Sequence, residues 1–188
     1  MGFHRHSPLA ITAWQIHAAA LLATLLVFGP VSGGGADARA AVWFADAARP
    51  DDSGDGLSWA AAKQSIGAAI AASAAGDTIL VKYGLYPVGE AVVLASDRCL
   101  GSDDGTHLSW DAALPDSSQC IVSADATCRV MTISGAAVTA ATILRGFTLT
   151  GGDATGEGDP NYGYGGGLDV SGGADPIVER CRMTANLA

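Results

Sequence analysis

Two stretches, TILRGFTLTGG beginning at Thr142 and PIVERCRMTAN beginning at Pro176, superpose at a spacing of 34 residues (Ile143 to Ile177). Ile143 falls on Ile177, Leu144 on Val178, Phe147 on Cys181 and Leu149 on Met183. In each copy a polar or flexible pair, Arg145-Gly146 or Glu179-Arg180, parts two apolar dyads, as a chain turning a corner requires. Beyond the corner, apolar and polar residues alternate with the period of a strand. A cornered strand pair cannot bury its inward face by itself, so such a repeat implies stacked coils sharing one core. Phe147, Leu149, Cys181 and Met183 are then expected inside, and Thr148, Thr150, Arg182 and Thr184 outside. An antiparallel sandwich is the competing arrangement, but no Asn-Gly or Asp-Gly hairpin lies between the matched strands.

The remaining chain fits the same plan. AVVLA, CIVSA, RVMTISG and GGLDV are short apolar runs parted by Gly, Asp and Ser, and DTILVKYGLYP reads as a strand followed by a turn between Gly84 and Pro87. One helix is predicted, over about 60–74: Ser58 suits its start, Ile66 and Ile70 lie one turn apart, and Gly76 suits its end. The class is therefore all-β with one capping helix.

Residues 1–40 read as a secretory signal peptide. Arg5 precedes the apolar run Ala18–Phe28, and Ala38-Arg39-Ala40 supplies small residues for cleavage after Ala40. The run is shorter than the roughly 20 residues a bilayer span needs, and no later segment is apolar enough to be one. Export to the medium, the cell surface or an outer membrane is expected. Losing Arg5, Asp37 and Arg39 takes the net charge from −9 to −10. Such a surface repels nucleic acid and anionic membranes.

Four cysteines, Cys99, Cys120, Cys128 and Cys181, lie in the exported part, where disulfides persist. Of the three pairings of four thiols, a Cys99–Cys120 bridge is expected first, because it closes the irregular segment LGSDDGTHLSWDAALPDSSQ and stabilises by about 3 kcal/mol in the chain-entropy model. A zinc site is the competitor, but no Cys-x-x-Cys is present and His107 is the one histidine after residue 40.

With repeat and entry segment in place, the chain resembles secreted right-handed parallel β-helix proteins of the pectin-lyase-like fold, including polymorphic outer-membrane-type surface proteins. The resemblance spans 42–188. VWFADAARPDDSGDGLSWAAAKQSIGAAIAASAAGDTILVKYGLYP is similar to their N-terminal cap, and ILRGFTLTGGDA with YGGGLDVSGGADPIVERCRMTAN is similar to their Gly-Gly repeat, with Asn186 at its end. The resemblance implies a solenoid with a cap and first strand over 41–90 and coils over 91–188, and implies that the 188 residues are a fragment of a longer solenoid.

Asp51, Ser53, Asp55 and Gly56 have the opening spacing of a calcium loop, but Ala62 stands where the bidentate Glu belongs, so a turn held by Asx hydrogen bonds is the simpler reading. Asp153, Glu157 and Asp159 share one acidic loop that could gather calcium or merely be solvated. No cofactor is required, with calcium the single ion suggested. Asp103, Asp104 and His107 are the catalytic candidates, since glycosidases need two carboxylates at a set separation. Adjacent strand residues point to opposite faces, however, and the Gly-His-Gly and Arg-x-Lys of pectin-hydrolysing relatives are absent. A lyase would want a basic residue, for which Arg145, Arg180 and Arg182 offer themselves. Trp110, Tyr162 and Tyr164 are candidates for stacking on sugar rings.

Two functions follow as expectations: an exported non-catalytic scaffold, surface or adhesin-like, binding carbohydrate or protein through its corner loops; and, alternatively, a polysaccharide lyase or glycoside hydrolase whose active site lies outside this sequence. On the first, alanine at Asp103, Asp104 or His107 should leave folding nearly intact.

Overall fold

The computed structural model describes residues 40–126, 128–155 and 165–187. The predicted signal peptide, Glu157, Asp159, Tyr162 and Tyr164 lie outside the described residues. Within the unit Ala38–Ala188 the elements in chain order are β1 (Val42–Ala45), a 3-10 turn (Trp59–Ala61), α1 (Ile66–Ala72), β2 (Thr78–Lys82), β3 (Gly84–Val88), β4 (Val92–Leu94), β5 (Cys99–Asp103), β6 (Cys120–Ala124), β7 (Met131–Ser134), β8 (Ile143–Arg145), β9 (Thr148–Thr150), β10 (Leu168–Ser171), β11 (Ile177–Glu179) and β12 (Arg182–Thr184).

The strands form three sheets, ordered β1-β2-β5-β8-β11, β4-β7-β10 and β3-β6-β9-β12. Every pairing is parallel. From β2 onward, three successive strands contribute one to each sheet. This is a β-rich class with one helix, compatible with a parallel β-helix.

The repeat falls in register as its superposition requires: Ile143 pairs Ile177, Leu144 pairs Val178, and Leu149 pairs Met183. The corner between the copies is a left-handed residue, Gly146 (φ 83°) in one and Arg180 (φ 52°) in the other. A second corner stacks Ala126 (φ 53°), Gly151 (φ 71°) and Ala185 (φ 53°), linked by Ala126 N–H to Gly151 O and Gly151 N–H to Ala185 O. An L side chain in this conformation costs about 1–2 kcal/mol, so the column persists because ladders on both sides hold it.

Inward residues of all three sheets make one core. Ile79, Leu100, Leu144, Val122, Leu149, Ile133, Met131, Leu94 and Phe147 are fully buried, each contributing about 1.5–3 kcal/mol. Val178 and Met183 continue these columns on β11 and β12, where no further described strand covers them, and are 38% and 44% exposed. Thr148 points outward as expected yet is buried, because its hydroxyl donates to Ser117 O at 2.7 Å beneath a covering loop.

The helix is shorter than predicted. Ser58 caps only the 3-10 turn, Ala62 is extended, and Ser65 starts α1 by accepting from Ala68 N–H at 3.1 Å. The intervening residues serve β1 instead: Lys63 N–H donates to Phe44 O, Asp46 N–H to Lys63 O, and Phe44 N–H to Gly56 O. The outer edge of β1 is thereby closed, which removes a site for unwanted strand pairing. Three strands were not foreseen, β1, β3 and β5. Pro87 in β3 is tolerated because β3 is an edge strand.

The expected Cys99–Cys120 bridge is not formed in this structure, where the thiols of Cys99, Cys120 and Cys181 are free. Cys99 lies on β5 and Cys120 on β6, strands of different sheets. Cys120 points into the core and is fully buried, whereas Cys99 is half-buried with Sγ toward Ala141 O. Among the described residues no helix is long and apolar enough to cross a membrane.

Candidate functional site

The chain leaves β5 at Asp103 and returns at Cys120, and the strap between, 104–119, lies over the outer face of the five-stranded sheet. Strand alternation explains what it covers. Val42, Phe44 and Leu80 face outward and form a second small core with Trp59, Ala62, Trp110 and Ala113. Phe44 meets Trp59 edge-on, ring centroids 4.7 Å apart, and Trp59 Nε1 donates to His107 O at 2.7 Å, tying the entry loop to the strap.

Gly101 explains the close approach, for a Cβ there would come within 2.6 Å of the Trp110 ring. The guanidinium of Arg145 lies 3.8 Å from the centroid of the same ring, a cation–π contact, and its Nη2 donates to Trp110 O at 2.8 Å. Trp110 is therefore engaged by the protein itself and is not a free platform for sugar. Arg145 is engaged with it, 4.0 Å from Glu179. Arg180 and Arg182 are exposed on the last strand pair.

Asp103 anchors the strap. Its carboxylate is fully buried. Oδ2 accepts from the amides of Gly105 (2.8 Å), Thr106 (3.2 Å) and His107 (3.3 Å), while Oδ1 accepts from His107 Nδ1 (2.9 Å) and Leu114 N–H (3.1 Å). Asp104 accepts from the amide (2.9 Å) and hydroxyl (2.6 Å) of Thr106. The Thr106 hydroxyl, followed by its amide and the His107 charge, holds the Asp104 carboxyl below the usual range against some desolvation. The bend that convergence required is thus present, and the three side chains form the one cluster of potential metal ligands among the described residues. The hydrogen-bonding capacity of Asp103 is spent on the loop. A glycosidase pair needs one carboxyl kept protonated and the other ionised, and the downward shift at Asp104 suits the ionised role alone. The five donors to Asp103 argue against the expectation that alanine there leaves folding nearly intact, since removing their shared acceptor leaves some of them unpaired.

Among the described residues the calcium candidates Asp51, Asp55 and Asp153 do not gather into one site. Asp51 accepts from Ser53 N–H and Asp55 from Leu57 N–H, both Asx turns, while Asp153 accepts from Thr155 N–H. What the sequence reading passed over is a groove on the other side of α1. Two adjoining clefts of about 250 and 470 Å³ share Ser65, Gly67, Pro87 and Val88. The signal was Gly67, a glycine in the first turn of α1 with open space around its missing Cβ.

The free thiols give a direct test. Burial pushes the Cys120 thiol far above its ordinary value and raises those of Cys99 and Cys181 less. Alkylation of the folded protein near neutral pH is expected to label Cys99 and Cys181 before Cys120, since only the thiolate reacts. A Cys99–Cys120 linked peptide under non-reducing conditions would contradict the free state.

Comparison with protein-family models, curated proteins and solved structures returns no match.

Proposed function

We propose that this chain is a right-handed parallel β-helix acting as an exported, non-catalytic scaffold, surface or adhesin-like, that binds carbohydrate or protein at its loops and ends. The supporting observation is the saturation of Asp103: the one place where paired carboxylates meet a histidine serves to fasten a loop. Export is supported by the leader pattern, and the solenoid by three parallel sheets filled in rotation. The test is incubation with pectate, alginate and similar polymers in the presence of calcium. No unsaturated uronides and no new reducing ends are expected. Products that disappear in Asp104→Ala would overturn the scaffold reading in favour of a lyase or hydrolase.

A further inference from the structure

The three sheets are unequal, with five, four and three strands. β1 occupies the first place only in the five-stranded sheet, and among the described residues no strand lies beside the outer edge of β3 or of β4. The groove along α1 occupies these two places. Because Gly84 N–H donates to Gln119 O and Val92 N–H to Val130 O, strand alternation turns Leu85, Pro87 and Val93 away from their partner strands. Leu85 therefore offers an amide and a carbonyl to the groove, and Pro87 a carbonyl alone. Leu85 and Val93 are also 58% and 48% exposed. Gly67 and Gly89 border the groove, a Cβ at either would have no neighbour within 4 Å, and neither has a positive φ. Among the described residues nothing accounts for these two glycines, whereas close approach of a second backbone would.

We propose that this groove binds an extended peptide of a partner protein, added as a parallel strand beside β3. The hydrogen-bond pattern is determined by the edge: the peptide accepts from Leu85 N–H and donates two alternate amides to Leu85 O and Pro87 O. Main-chain bonds of this kind supply affinity and alternate side chains supply specificity. Leu85 selects an apolar partner side chain. Glu90, the one charged residue lining the groove, lies after β3 and selects a basic residue at the peptide's C-terminal end, which suits the acidic protein as a whole. Carbohydrate is the poorer occupant, since the groove wall is aliphatic and the Tyr86 ring is buried in the core.

The site rests on the scaffold reading, and the two fail separately: polymer cleavage would remove that reading without touching the Leu85 amide. The probe is a synthetic peptide, acetyl-Val-Thr-Val-Thr-Lys-amide, titrated to millimolar concentration while amide exchange is followed residue by residue. Slowed exchange at Leu85, with Val93 beyond the probe's reach unchanged, is the expected result. N-methylation of the two donating amides should weaken binding about tenfold or more, for two hydrogen bonds lost. Gly67→Leu, which fills the groove from an exposed helix position, should abolish the effect with the melting temperature retained, and Glu90→Lys should weaken it. Unchanged Leu85 exchange at the highest concentration, or equal protection in Gly67→Leu, would overturn the proposal.

Discussion

Phe147→Ala is expected to cost about 3 to 5 kcal/mol of folding stability, read from the midpoint and slope of denaturant unfolding. Phe147 is fully buried. It is the residue before β9, and its carbonyl accepts from Arg182 N–H at 2.7 Å. The registers of β6 with β9 and of β12 with β9 set Cys120 and Cys181 on either side of it in the same inward column. Removal of the ring therefore leaves a void between two neighbours held in place by their own ladders, and such a site relaxes little. Met183→Ala provides the contrast: on the parallel column its side chain is already 44% exposed, so the loss should be far smaller. Equal costs at the two positions would mean that Phe147 does not hold the interior place assigned to it.

Asp103→Ala should be the second large effect, at least about 3 kcal/mol, because each buried donor left without an acceptor costs about 1–3 kcal/mol. Five donors lose this acceptor together; Thr106 N–H and His107 Nδ1 keep Asp104 Oδ1 as a second partner, whereas the amides of Gly105, His107 and Leu114 are left without one. The loss should be local before it is global: amides of Gly105, His107 and Leu114 should exchange faster, and Trp110 fluorescence should shift to the red as the strap lifts from Gly101. Asp104→Ala should change little, since its carboxylate is partly exposed and serves Thr106 and, at 3.3 Å, His107 Nδ1, both of which keep other partners. A fully stable Asp103→Ala protein with an unchanged strap would return Asp103 to the groups free for chemistry.

The matched pair around Phe147 and Cys181 was legible because both copies alternate cleanly and turn on an equivalent corner residue. β3 and β5 were not, for opposite reasons. Pro87 reads as a breaker, and only the position of β3 at a sheet edge makes it harmless. Gly101 and Ser102 give β5 no apolar alternation, because a tryptophan from the strap fills the space a side chain would take. The helix was overextended because alanine propensity over 60–64 is real but loses to backbone bonds with β1. The Asp103 cluster was found as a group of residues, while its role depended on five donors that no side-chain pattern records. The groove was hidden because its recognition groups are main-chain atoms of an edge, present in every sequence and exposed only by topology.

The register steps unevenly down the five-stranded sheet, from Thr78 to Cys99, from Cys99 to Ile143 and from Ile143 to Ile177. The ladder registers strands and is indifferent to the length of chain between them. Doubling a corner loop costs only about 0.6 kcal/mol in closure entropy, so insertions at corners are nearly neutral to selection while changes within a column are not. Descent in such a molecule erodes linear spacing first and column composition last. Kinship is then to be sought by aligning inward columns with free gap lengths at the corners, a comparison in which Phe147 and Gly151 count for more than any stretch of contiguous residues.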